Sequence, residues 1–385
     1  MAPCVSTREI RHYNLFMIDS RLNKMASVLV NYSLAVKPKQ WVYVWGSSPA
    51  AEPLMLEIYR EVLKAGGNAH LRADLPGAQE VFFATASGHQ LDEVSPVDRL
   101  SVDEHGFDAY VRIGADLNTR RLANVNSASV TRVQTAMGPI TARRMSRSAE
   151  GTYRWVVCRY PTNAYAMEAD MSLSEYEEFV FDACLLNDAD PVSKWKALGI
   201  KQQVYVDYLQ TKKQLHVRGA NVDLTMSIDG RKWKNSCGLR NFPDGEVYTG
   251  PVEDSVEGWI RYSYPAIYLS REVSGVQLWW EKGRVVKASA SKNEGFLIKT
   301  LDTDVGARSL GEFAIGDNYG IKKFSKDILF DEKIGGTIHL AVGMGYPDTG
   351  SVNKSAVHWD MITGMEDAEI AADGEVFYKN GQFLI

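Results

Sequence analysis

A change of pattern along the chain constrains its fold more than any other feature. Before about residue 190, apolar runs of strand length alternate with helical stretches; beyond about residue 220, short alternating segments follow one another between turn formers. Trp41-Val42-Tyr43-Val44-Trp45 reads as a buried strand, a helix is predicted from about Ala51 to Ala65 with Gly66-Gly67 as its stop, and a second strand follows at Ala69 to Arg72. Ala109 to Ile113 and Trp155 to Tyr160 offer two more strands. That succession predicts an α/β N-terminal domain with a small parallel sheet. Its loop Gly46-Ser47-Ser48-Pro49-Ala50 carries neither the Gly-x-Gly-x-x-Gly nor the Gly-Lys-Ser/Thr pattern, so no dinucleotide or ATP site is assigned to it.

Helices frame the transition. One is expected around Ile18 to Ser33. Another begins with the capping-box spacing Ser172-Leu173-Ser174-Glu175 and runs to about Leu186, where Asp190-Pro191 follows as a break. A third long stretch, Val192 to Gln214, leads into the β-rich remainder. The chain is expected to divide into residues 1–200, an α/β domain with a helical linker, and residues 201–385, a mostly β (α+β) domain carrying the chemistry. Val222 to Ile228, Trp259 to Tyr264 and Gln277 to Trp280 are its clearest strands.

At 385 residues and 45% hydrophobic, the chain can bury two substantial cores. A net charge of −5 and the lack of any basic tract give nucleic-acid binding no electrostatic support. The opening Met1 to Glu9 lacks the apolar core of a secretory signal, and no run of about eighteen apolar residues occurs, so a soluble cytoplasmic protein with no membrane partner is expected. Cys4, Cys158, Cys184 and Cys237 form no Cys-x-x-Cys pair and are expected as reduced thiols.

Two of the seven histidines sit in glycine-bordered, apolar strands with acidic company. In Val357-His358-Trp359-Asp360-Met361, residues two apart share a face, so His358 and Asp360 project together. In Gly336 to Gly343, Ile338, Leu340 and Val342 take one face and His339 takes the other with small Thr337 and Ala341, which leave room for an ion. Glu246 lies in a turn-bounded run between Asn241 and Pro251, Glu312 interrupts the apolar strand Leu310 to Gly316, and Glu332 precedes the His339 strand. A bare carboxylate in such a strand costs several kcal/mol unless it is paired, ligated or neutralised. Taken singly, each histidine reads as an ordinary core or edge residue, Glu312 as an edge charge, and Glu332 as part of an exposed Asp331-Glu332-Lys333 turn. Their clustering points to a metal centre.

With these residues in place, the chain resembles the thermophilic metalloprotease family of aminopeptidases, of the aminopeptidase T and S type, nearly end to end. Val28 to Leu34 with Val36-Lys37-Pro38 resembles the family's opening, and Arg154-Trp155, Tyr160-Pro161-Thr162 and Met171 to Phe179 resemble its linker. Asn241 to Pro251, Gly311-Glu312-Phe313-Ala314, Gly336 to Gly343 and Ser355 to Asp360 carry the most specific match. The resemblance implies a dinuclear aminopeptidase acting on short peptides, with Glu246, Glu312, Glu332, His339, His358 and Asp360 as metal ligands, Glu312 as the bridge and Tyr346 of Gly345-Tyr346-Pro347 as a catalytic partner. It also implies a homodimer. Nitrogen and oxygen donors without thiolate suit two divalent ions such as zinc, cobalt or manganese. A rival reading comes from the similar 2,5-dihydroxypyridine dioxygenases, in which two histidines and one carboxylate hold a single iron; His339, His358 and Asp360 alone would supply that triad. The additional glutamates argue for two ions.

Overall fold

A computed structural model describes residues 19–269 and 271–385. Cys4, His12 and the expected helical start at Ile18 lie outside them. Trp41–Gly46, Asn68–Ala73, Ala109–Gly114 and Arg154–Arg159 form a parallel sheet in which the first strand lies between the second and third, and the fourth follows the third. Val42, Tyr43 and Val44 are buried in succession because a central parallel strand is covered on both faces. The crossover helix Glu52–Lys64 buries Leu54, Ile58 and Val62, one turn apart. It stops where expected, at Gly66, whose φ of +77° is accessible to glycine without a Cβ penalty. Ser172 and Glu175 close their capping box, with Glu175 Oε2 accepting from the Ser172 N–H at 2.8 Å.

Two helices differ from expectation, and several were not foreseen, the longest of them Ser127–Ala149. The capped helix ends at Ala183. The next spans Pro191–Leu209, and Gln214 begins a strand instead, Gln214–Gly219. Leu215 and Val217 alternate inward there, and pairing with Val222–Ser227 and Ala368–Ala372 outweighs helix continuation. Ser127–Ala149 is a 23-residue helix containing Pro139; its only buried residues are Ile140 and Arg147, so it has no apolar stripe to read in the sequence.

The C-terminal half is mostly antiparallel. An eight-stranded sheet and a five-stranded sheet share one core, where Leu215, Val217, Leu224, Ile260 and Leu278 meet Phe313, Ile315, Leu340, Val342 and Met361. The halves interlock: Asn241–Phe242 extends the parallel sheet, and Leu329, Phe330 and Ile334 sink into the N-terminal core. Cys158, Cys184 and Cys237 are buried free thiols. No helix among the described residues is long and apolar enough to cross a membrane.

Candidate metal centre

The five-stranded sheet carries every expected ligand but Glu332. Its strands run in the order His358–Gly364, Thr337–Gly343, Leu310–Gly316, Glu246–Thr249, Lys234–Ser236. Directly opposed residues share a face of a sheet. The register pairs Ala314 with His339, Glu312 with Ala341, Gly316 with Glu246, Ala341 with Asp360 and Gly343 with His358. All five expected ligands on this sheet therefore stand on one face, each opposite a glycine or alanine. Val247, Phe313, Ile315, Leu340, Trp359 and Met361 fill the other face, in the core.

A bulge keeps this division sharp. Between Leu310 and Glu312 the register slips by one residue, which turns Leu310 to the core face with Val342 while Glu312 stays on the ligand face. The inserted residue is Gly311, where a Cβ would meet the Met344 carbonyl oxygen at 2.3 Å. That same oxygen accepts from His358 Nδ1 at 2.8 Å, so the glycine makes room for the group that orients a histidine.

Glu332 arrives from the other half of the molecule's packing. It caps the short helix Ile328–Asp331, whose Phe330 is wedged 5.2 Å from the Phe179 ring and whose Asp331 accepts from the Ser325 N–H at 2.7 Å. The segment that, taken singly, reads as an exposed turn is instead enclosed: Asp331 is 1% and Lys333 0% exposed. Asn318 ties this loop to the Glu246 loop. Its Nδ2 donates to the carbonyls of Ala183 and Asp244, and its N–H donates to the Lys333 carbonyl.

Both histidines are oriented by main-chain carbonyls. His339 Nδ1 lies 2.9 Å from Glu332 O, as His358 Nδ1 lies 2.8 Å from Met344 O. A carbonyl only accepts, so each Nδ1 carries a proton and each Nε2 is the atom left to bind a cation. His358 Nε2 stands 3.4 Å from Glu312 Oε2 and 3.6 Å from Asp360 Oδ1; His339 Nε2 stands 3.7 Å from Glu312 Oε1 and 3.9 Å from the same Asp360 oxygen. Two ligand groups result, Glu312-His358-Asp360 and Glu332-His339-Asp360, with Asp360 common to both. Glu246 belongs to neither. It approaches His339 from the Nδ1 side at 3.8 Å and lies 3.8 Å from Lys333 Nζ. Tyr346 completes the rim, its hydroxyl 3.3 Å from His358 Nε2 and its ring edge-on to Tyr248.

Electrostatics mark the cluster as short of positive charge. Burial pushes Glu312 up, but hydrogen bonds from His339 and His358 outweigh it and hold the carboxyl at about 2. Burial opposes charge on the imidazoles, yet Glu312, Glu246 and Asp360 raise His339 to about 10, and Asp360 and Glu312 do the same for His358. Glu246 is pushed well up by burial. Asp360 Oδ1, common to both groups, is buried with no hydrogen-bond partner, which a cation would satisfy.

Lys333 and Asp244 escape the sequence reading. Lys333 pairs with Glu332 and faces Glu246, and Asp244 is buried beside them, accepting from the Gly238 N–H. The available signal is a lysine directly after a candidate ligand, in a glycine-bounded segment.

The family model described as thermophilic metalloprotease (M29) matches residues 18–383. Aminopeptidase 2 of Geobacillus stearothermophilus is 27% identical over 95% of this chain and 98% of that protein. Aminopeptidase T of Thermus aquaticus is 30% identical over 63% of this chain and 67% of that protein. Among solved structures, wild-type AmpT from Thermus thermophilus shares the fold, with TM-score 0.82 and 23% identity over 95% of this chain and 99% of that one. A 2,5-dihydroxypyridine dioxygenase from Pseudomonas putida KT2440 aligns over 95% and 97% at TM-score 0.57 and 14% identity.

Proposed function

Because the chain belongs to the thermophilic metalloprotease (M29) family, we propose that it is a dinuclear metal-dependent aminopeptidase that removes N-terminal residues from short peptides. What supports two ions is the pair of ligand groups that share Asp360, each with one histidine Nε2 turned toward it. The donor set fits: oxygen and nitrogen without thiolate suits zinc, cobalt or manganese. So does the charge. Glu312, Glu332 and Asp360 bring carboxylates to the two ligand groups, which divalent ions would balance. In this reading Glu312, His358 and Asp360 hold one ion, Glu332, His339 and Asp360 the other, and Glu246 stands behind His339.

Bound divalent ions supply Lewis acidity and a water acidified toward neutral pH. The chain's own residues do the rest. Glu312 and Asp360 each lie between the two histidines, so either carboxylate has an oxygen placed to receive a proton from an attacking water. Tyr346, at the rim, is a hydroxyl donor aimed at the space beside His358, where it would stabilise developing negative charge on the scissile carbonyl oxygen. Burial holds its proton on, well above the ordinary phenol range, so it remains a donor at every working pH. Tyr346→Phe is expected to lower kcat by about a hundredfold with metal content unchanged; loss of metal instead would make it a structural residue.

By the same family membership we take the enzyme to be a homodimer, which sedimentation tests. The deciding experiment loads the protein with zinc, cobalt, manganese or ferrous iron and measures ions per chain together with leucine released from a leucyl anilide. Two ions with amide cleavage is the expected result. One iron with no cleavage would overturn it in favour of a mononuclear oxygenase.

A further inference from the structure

Resting on that metal-centre reading, we infer that Lys333 makes the two halves of the centre unequal. Its ammonium is fixed between Glu332 and Glu246 and already supplies positive charge to the His339 half. The Glu312-His358-Asp360 half therefore fills first, and the Glu332-His339-Asp360 half fills second and more weakly.

The asymmetry is built from contacts. Lys333 is wholly enclosed, its Nζ against a Glu332 oxygen and 3.8 Å from Glu246 Oε1, so water cannot take over its charge. Its backbone is pinned as well: its N–H donates to Phe330 O and its carbonyl accepts from the Asn318 N–H. Glu332 is at once a ligand of the second group and the partner of Lys333. An ion entering there must share that carboxylate with an ammonium, or take it away and leave the ammonium with Glu246 and Asp244; both oppose binding through like charge at short range. Glu246 is held on the lysine side of His339, away from the Nε2 that faces the ions. The first group meets no such competitor. Among the described residues the ion pairs of its carboxylate Glu312 are with the two imidazoles, which give up their Nε2 protons when they ligate.

A purely structural lysine would leave the order of filling untouched. The test titrates the metal-free, full-length protein with cobalt(II) chloride and with manganese(II) chloride, following heat, cobalt absorption and ions per chain by native mass spectrometry. Two steps separated by at least about tenfold in Kd are expected for the wild type. Lys333→Met should draw the second step at least about tenfold tighter while moving the first by less than about threefold, and Lys333→Arg should keep the separation. Two equal steps in the wild type would overturn the inference while leaving the metal centre intact, and this result needs no variant to fold. A separation that survives in Lys333→Met would also overturn it. Failure to bind either metal would remove the metal-centre reading itself, and the inference with it.

Discussion

The parallel sheet of the N-terminal half and the five-stranded sheet of the C-terminal half treat charge differently: the first pairs single arginines with aspartates, the second gathers carboxylates and histidines on one face. In the parallel sheet Val42, Val44, Val111 and Ile113 join the core shared with the covering helices, Tyr43 and Tyr110 pack with Phe107 and Tyr153 on the other side, and Arg72, Arg112 and Arg159 each pair with an aspartate. In the site sheet the core face is apolar, but the opposite face sets ligands beside glycines and alanines, with Ile362 across from His339 and Tyr248 across from Ala314. The contrast shows what permits a buried carboxylate. Small residues open a space, main-chain carbonyls aim the imidazoles, and the charges are left facing one another so that cations complete them. In both regions a carboxylate faced by hydrogen-bonding cationic groups is held down, Glu312 by the two histidines as Glu168 is by Arg120, and one dominated by burial moves up. Hydrogen bonds from Arg120 hold Glu168 of the N-terminal half down at about 2, whereas burial drives Glu246 up.

The largest effect expected is from Glu312→Gln, which keeps the shape of the ligand face and removes the charge that touches both histidines. Turnover should fall by more than about a hundredfold and at least one ion should bind more weakly, since even groups outside the ligand shell typically cost 10–100-fold. Circular dichroism should match the wild type. Unaltered peptidase activity would take Glu312 out of the mechanism.

Ile113→Ala addresses the other sheet. It should lower unfolding free energy by about 2–5 kcal/mol through lost burial and a cavity, while metal affinity in the folded protein stays as it was. A comparable loss of metal binding would mean that the two regions are coupled rather than separable.

Gly311→Ala probes the boundary between the two faces of the site sheet. A methyl group there meets the Met344 carbonyl, so the hydrogen bond that orients His358 should loosen and metal affinity should drop by about tenfold. Retained affinity would show that the bulge serves packing only.

The smallest effect concerns pH. Glu168 is held at about 2 in the folded chain against about 4.3 for an unperturbed glutamate. A depressed carboxyl contributes stability above its unfolded value, and that contribution is lost as pH falls from about 4 toward 2. In urea unfolding, the advantage of the wild type over Glu168→Gln should be present at pH 6, small because the pair is partly exposed, and gone near pH 2. An advantage that persists at pH 2 would place its origin elsewhere.

Much of this was legible from residue order. Strand-length apolar runs separated by a glycine-stopped helix announced the parallel sheet, and period-two alternation placed His358 with Asp360 and His339 with Thr337 and Ala341 on shared faces. Those patterns are local, and a strand's two faces follow from backbone geometry alone. The helix Ser127–Ala149 was illegible because it buries almost nothing, and the strand at Gln214 because its partners lie at Val222 and, far along the chain, at Ala368.

By itself, then, the sequence determined which residue types could ligate, the face each takes on its own strand, and the family whose fold unites them. Only the tertiary structure decided which strands are neighbours and in what register, and hence that Asp360 is common to both groups. It also decided that the Asp331-Glu332-Lys333 segment is buried, because Phe330 is drawn into the core of the other half of the molecule. Register and long-range burial depend on contacts between residues far apart in the chain, and no local pattern records them. That is why the lysine beside the ligands, the residue that distinguishes the two halves of the centre, became visible last.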